Sequence, residues 1–138
     1  MKRCSMGLLA ALLLLSSAVA SDSAAEKVAV NAANQWLALV DAGNYTASWD
    51  EAAAFFKSAV SKEQWVETMK GRRTPLGKVE SRKLKSATYT TGLPGAPDGQ
   101  YVVIQYDSSF QQKKSAVETV TPMRDKDGQW RVSGYFIK

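Results

Sequence analysis

At about Val79 the spacing of apolar residues changes from steps of three and four to steps of two, so the chain must build helices first and strands second. Ahead of the change, Ala25, Ala29, Ala32, Trp36, Leu39 and Val40 fall on one stripe of a helix predicted over about residues 25–42. Gly43 is placed to end it, because glycine takes the left-handed conformation at a helix end without steric cost. Tyr45, Trp49, Ala52, Ala53 and Phe56 make the apolar face of a second helix over about 46–58. The stretch "VSKEQW" predicts a third over about 62–71. Ser61 is its cap, Gln64 completes a capping box three residues later, and Val60 with Trp65 supplies the hydrophobic staple. Gly71 and Pro75 end it.

Beyond the change, "VESRKLKSATYT" reads as a charged strand over about 78–91, and "LPGAPDG" as a turn-rich loop. In "YVVIQYDSSF", a strand over about 100–110, Val102, Ile104, Tyr106 and Phe110 share one face, and Tyr101, Gln105 and Asp107 the other. A third strand over about 115–125 contains Pro122, which cannot donate to a ladder and is expected at a bulge or an unpaired edge position. Asp127-Gly128 is expected to supply the positive φ angles of a tight hairpin. In the strand that follows, about 129–137, Trp130, Val132, Gly134 and Phe136 are assigned to the core, and Arg131, Ser133, Tyr135 and Ile137 to the outside. The expected architecture is α+β: three N-terminal helices packed on a four-stranded antiparallel meander, two layers in one domain over residues 21–138.

Residues 1–20 read as a cleaved signal peptide rather than as part of that domain. Lys2 and Arg3 precede an apolar stretch centred on Leu8 to Leu15, and Ala18-Val19-Ala20 gives the small-x-small pattern that places the cut between Ala20 and Ser21. The apolar stretch is well short of the ~20 residues needed to span a bilayer. Cys4 lies ahead of the apolar run, where a lipoprotein cysteine does not sit, and the chain has no other. The expected localisation is therefore periplasmic or secreted, not lipidated, with no transmembrane segment after cleavage. The mature chain then has to hold together by packing, without disulfides, in an oxidising compartment. Its 118 residues suffice for that, since a domain of this size buries roughly two-thirds of its unfolded surface. Losing Lys2 and Arg3 leaves 16 basic against 13 acidic residues, a net charge of +3 in place of +5, so overall charge dictates no polyanion partner.

The helical half together with "LPGAPDGQYVV", "ETVTPM" and "DGQWRVSGYFI" resembles the bacterial secreted family catalogued as domain of unknown function 4019, from Ala32 to Ile137. That resemblance implies a cystatin-like, nuclear-transport-factor-two-like fold, in which helices cross a strongly curved sheet and a conical pocket can open between them. It also implies an extracytoplasmic location. It implies no activity, and so brings no functional residues with it.

The sequence has no histidine, and its single cysteine is in the leader. This removes the usual general base near neutral pH, the Ser-His-Asp and Cys-His relays, and nearly every zinc or haem site. Asp125 and Asp127 beside Gly128 read as turn formers, and no phosphate loop or dinucleotide fingerprint occurs. No metal and no cofactor is expected. Acid and phenol chemistry remains: the wider fold group includes ketosteroid-isomerase-like enzymes that use carboxyl groups and tyrosines in an apolar cone. The ligand-binding candidates are Trp36, Trp49, Tyr106 and Glu118. An inward Glu118 would need Arg82 or Arg131 to offset its burial. Trp36, Trp49, Trp65 and Trp130 fit core filling better than an open aromatic wall. Lys70, Arg72, Arg73, Lys78 and Arg82 form a basic run that suits either a helix end and an outer strand or weak contact with an anionic partner surface; nucleic acid does not fit, for want of interleaved aromatics. The function these residues suggest is a non-catalytic binding module for an envelope protein or a small ligand. The alternative is a small carboxylate/tyrosine isomerase or lyase.

Overall fold

The computed structural model describes residues 16–138. Residues 1–15, most of the expected signal peptide, lie outside them. Helix α1 runs Ser16–Asp41, through Ala20 and Ser21, and starts earlier than the apolar stripe requires. The serine- and alanine-rich stretch before Glu26 holds neither glycine nor proline to interrupt it. At the other end Gly43, at φ 76°, closes the helix. Its N–H donates to the Val40 carbonyl at 3.0 Å and that of Asn44 to Leu39 at 2.9 Å, the paired bonds of a Schellman end.

Where the spacing predicted one helix over about 46–58, the chain forms two, α2 (Tyr45–Asp50) and α3 (Ala54–Ala59). The reason lies in the sheet. Ala53 is extended, with ψ 151°, and its N–H donates to the Val132 carbonyl at 2.8 Å, a bond it cannot make while helical. Helix α4 (Lys62–Arg72) begins with the expected capping box: Gln64 N–H donates to Ser61 Oγ at 3.2 Å, and Ser61 N–H to Gln64 Oε1 at 3.1 Å. A 3-10 turn at Thr74–Leu76 carries Pro75 and leads into the sheet.

Strands β1 (Val79–Thr90), β2 (Tyr101–Phe110), β3 (Lys113–Arg124) and β4 (Trp130–Ile137) form an antiparallel meander in the order β1-β2-β3-β4. Of the Asp127-Gly128 pair only Gly128 has positive φ, at 85°. The turn is wider than expected: Gly128 N–H donates to Asp125 O, and Asp125 N–H to Gln129 O. That is a type I turn followed by a glycine bulge. Arg131 braces it, at 3.0 Å from Asp125 and 2.8 Å from Asp127. Its hydrogen bonds to Asp127 hold that carboxyl down at about 2.

Pro122 does sit at a bulge. Thr121 pairs with Gly134 but Pro122 with Val132, leaving Ser133 unmatched. The extra residue inverts the alternation of β4 beyond Val132, which corrects two assignments. Tyr135, expected outside, packs edge-on against Trp36 with ring centroids 5.3 Å apart. Phe136, expected in the core, is 58% exposed. Tyr101 is likewise buried although it alternates away from the helices, because Leu93 and Ala96 of the loop before β2, with Ala53, Phe55 and Met123, cover that end of the sheet's other face.

The main core lies between the helices and the inner face of the sheet, joining Trp36, Leu37 and Val40, Trp65 and Met69, and Val102, Ile104, Tyr106, Val120 and Val132. Trp65 stands 6.0 Å from Trp36 and 4.9 Å from Phe56, centroid to centroid. Such rings each bury on the order of 150–250 Å² and need a partner for their polar edge. Ser48 of α2 supplies it twice: its carbonyl accepts from Trp36 Nε1 at 2.8 Å and its hydroxyl from Trp65 Nε1 at 2.9 Å. Indoles thus pack the centre of the helix–sheet interface. Among the described residues no helix is long and apolar enough to cross a membrane.

Candidate functional site

Glu118, in the middle of β3, faces the helices between Tyr106 of β2 and Ile137 of β4, and it is completely buried. A carboxylate there is tolerable only if its oxygens are occupied. Arg82 donates from Nε to Oε1 at 2.7 Å and from Nη2 to Oε2 at 3.1 Å. Ser108 Oγ donates to Oε1 at 2.6 Å, and the Tyr135 hydroxyl to Oε2 at 2.5 Å. The β1–β2 register sets Arg82 opposite Ser108, which brings the guanidinium within reach of Glu118 one strand further on.

The same guanidinium reaches into the helical layer. Arg82 Nη1 donates to Asp41 Oδ2 at 2.7 Å and Nη2 to Oδ1 at 3.0 Å. Asp41 also accepts from Arg73 Nη2 at 3.3 Å, while Arg73 Nη1 donates to the Gly77 carbonyl and its guanidinium lies 4.6 Å from the centre of the Phe110 ring. Two cations and two anions balance in one buried chain from the end of α1 to the middle of β3. Burial works against the charge on Arg82, but the hydrogen bonds and attraction of Asp41 and Glu118 together outweigh it and raise its pKa. Burial, and then the Glu118 charge, push the Tyr135 hydroxyl far above the ordinary phenol range. Tyr106, which donates to Asn34 Oδ1 at 2.6 Å, is pushed up to about 12, chiefly by burial.

The four ligand-binding candidates are only partly brought together. Tyr106 and Glu118 are cross-strand neighbours, and Trp36 joins them through Tyr135. Trp49 stands apart: its Nε1 donates to Val60 O, and Lys62 lies 5.2 Å from the centre of its ring. The basic run is divided. Arg73 and Arg82 turn into the buried network rather than onto a surface, whereas Lys70, Arg72 and Lys78 are exposed, Lys70 lying 3.8 Å from Glu67. Sequence reasoning missed Asp41, Ser108 and Tyr135 as members of the network. Asp41 had a signal, because an acid in the last turn opposes the helix dipole unless a cation meets it. Tyr135 had one too, since a bulge at Pro122 shifts the facing of the strand opposite.

Over this network a groove of about 510 Å³ runs between α4 and the end of β4. Trp65, Met69 and Arg72 form its helical wall, and Tyr135, Phe136 and Ile137 its sheet wall. Tyr135 and Arg73 are its contact with the ion-pair chain; Glu118 is not in its wall.

A short helical layer on a four-stranded antiparallel meander, tied by a buried arginine–carboxylate chain, defines the class as a two-layer α+β domain. The family described as "Protein of unknown function (DUF4019)" matches over residues 32–135, and the chain belongs to that family. No curated protein matches it.

Replacing Arg82 by Met keeps the aliphatic stem and leaves Asp41 and Glu118 facing each other without their shared cation. We expect the folded state to lose about 3–5 kcal/mol in urea titrations. Adding Asp41→Asn and Glu118→Gln should recover part of that loss. The tyrosines predict alkaline sensitivity. Unfolding frees Tyr106 to ionise near 10.0, whereas the native state holds its proton to about 12. The stabilisation is complete below the lower value and is lost as pH rises through the upper one, and Tyr135 adds in the same direction. Denaturation midpoints measured from pH 10 upward should fall together with the rise of tyrosinate absorbance.

Proposed function

We propose that this chain is an exported, non-catalytic binding module, periplasmic or secreted, which holds a small ligand or a segment of an envelope protein in the groove between α4 and β4. One observation carries the non-catalytic reading: both oxygens of Glu118 are committed, to Arg82, Ser108 and Tyr135. A carboxylate/tyrosine isomerase needs a carboxylate free to take a proton from a ligand, and a cavity in which the ligand can reach it. Here the carboxylate is enclosed, and indoles occupy the space where a cone would open. The groove, by contrast, is concave, partly apolar and within the usual volume range of small-ligand sites, about 300–1,000 Å³.

Export is supported by the leader: Lys2 and Arg3, the apolar run, and Ala18-Val19-Ala20. Expressed from its full sequence in a bacterium, the protein should be recovered from periplasm or medium with Ser21 as its first residue by intact mass. A product still carrying residues 1–20 in the membrane fraction would sink this part of the proposal. For the binding role, a thermal-shift screen of small metabolites and envelope components should find compounds that raise Tm and are recovered chemically unchanged. Turnover of any of them, abolished in a folded Glu118→Gln protein, would show an enzyme instead.

A further inference from the structure

The walls of the α4–β4 groove combine apolar side chains with cations. Trp65, Met69, Leu76, Phe136 and Ile137 supply an apolar strip, and Phe136 is one of the most exposed large apolar side chains among the described residues. Around the strip stand Arg72, Arg73 and Lys113, and the wall contains no aspartate or glutamate side chain. Arg72 and Lys113 have no ion-pair partner among the described residues. Lys138 also lines the groove.

Arg73 adds a second and independent observation. It is 3% exposed and forms part of the groove wall, yet its Nε has no acceptor among the described residues, while its two terminal nitrogens serve Gly77 and Asp41. A buried N–H without a partner is costly and rare. Arg73 stands in the wall with its charge met by Asp41, and the cations left for a ligand are Arg72 and Lys113. Tyr135, held by Glu118, fixes the adjoining floor.

Resting on the reading of the groove as a ligand site, we propose that its ligand is an amphipathic anion: a hydrocarbon body lying along Trp65, Met69, Phe136 and Ile137, with a single carboxylate at Arg72, Lys113 and the Arg73 corner. Charge sets the sign of the head group and the apolar strip sets the tail. The concavity favours a free molecule over a lipid surface, because a flat bilayer cannot enter it. The ligand is held, not transformed, since no aspartate or glutamate side chain lines the groove to take a proton from it.

The test uses dodecanoate below its micelle concentration as the probe, followed by calorimetry and by tryptophan fluorescence, to which Trp65 contributes. Saturable binding at one site is expected. Acetate, which has the head alone, and dodecyltrimethylammonium, which has the same tail and the opposite charge, should each bind far more weakly. Arg72→Glu and Lys113→Glu should each weaken dodecanoate by roughly tenfold or more, as expected for the loss of a charge-assisted hydrogen bond. Phe136→Ser should weaken it less and leave the preference for an anion intact. These three positions lie outside the main core, and circular dichroism checks that each variant is folded. Equal binding of the cationic and anionic amphiphiles would overturn the inference, as would capture by anionic phospholipid vesicles but not by monomeric dodecanoate. If dodecanoate fails and an uncharged compound binds in the groove, the ligand class is wrong while the binding-module reading survives. If dodecanoate is consumed, that reading falls as well.

Discussion

The Arg82 guanidinium joins both layers of this fold through charge. Its two ends answer carboxylates on opposite sides of the interface, Asp41 at the end of α1 and Glu118 in the middle of β3. Neither acid is tolerable where it is without that cation, and the cation's own desolvation is offset only because both acids are present. The contribution to net stability is therefore modest by comparison with apolar packing. What the arrangement supplies is position. It sets where α1 ends relative to the sheet and, through Tyr135, how the last strand faces the helices.

Around that tie the hydrophobic layer is organised by another shared partner. Ser48, fully buried on α2, takes the indole N–H of Trp36 with its carbonyl and that of Trp65 with its hydroxyl. The large rings of α1 and α4 are thus oriented by one short side chain and its backbone. These rings pack the centre of the interface, and a groove lies to one side of them, between α4 and β4.

What was legible in the sequence was local chemistry. The capping box at Ser61 and Gln64, the glycine stop after α1, the bulge at Pro122 and the order of strands each follow from residues within a few positions of one another. The departures have tertiary causes. Ala53 leaves the helix for a bond to Val132, residues far apart in the chain, and Tyr101 is buried by a loop that alternation does not describe. Phe136 and Tyr135 exchange roles because the bulge opposite Pro122 inverts the alternation of β4 beyond Val132. For the site, Glu118 needed Arg82 or Arg131, and the choice between them rested on strand register. Asp41 came from a helix whose approach to the sheet no local pattern encodes.

The break between α2 and α3 also bears on how this sheet avoids growing. By lending the Ala53 amide to β4, the helical layer covers one rim of the meander at Val132. The opposite rim, along β1, is twelve residues long, and one of its amides, Tyr89 N–H, donates to Glu26 of α1; the rest is a template on which another extended chain could lengthen the ladder. Lys83 and Lys85 are exposed there, and Lys85 sits at an irregularity in the pairing with β2. Like charges brought side by side, on a rim that does not run evenly, make stacking of identical molecules unfavourable.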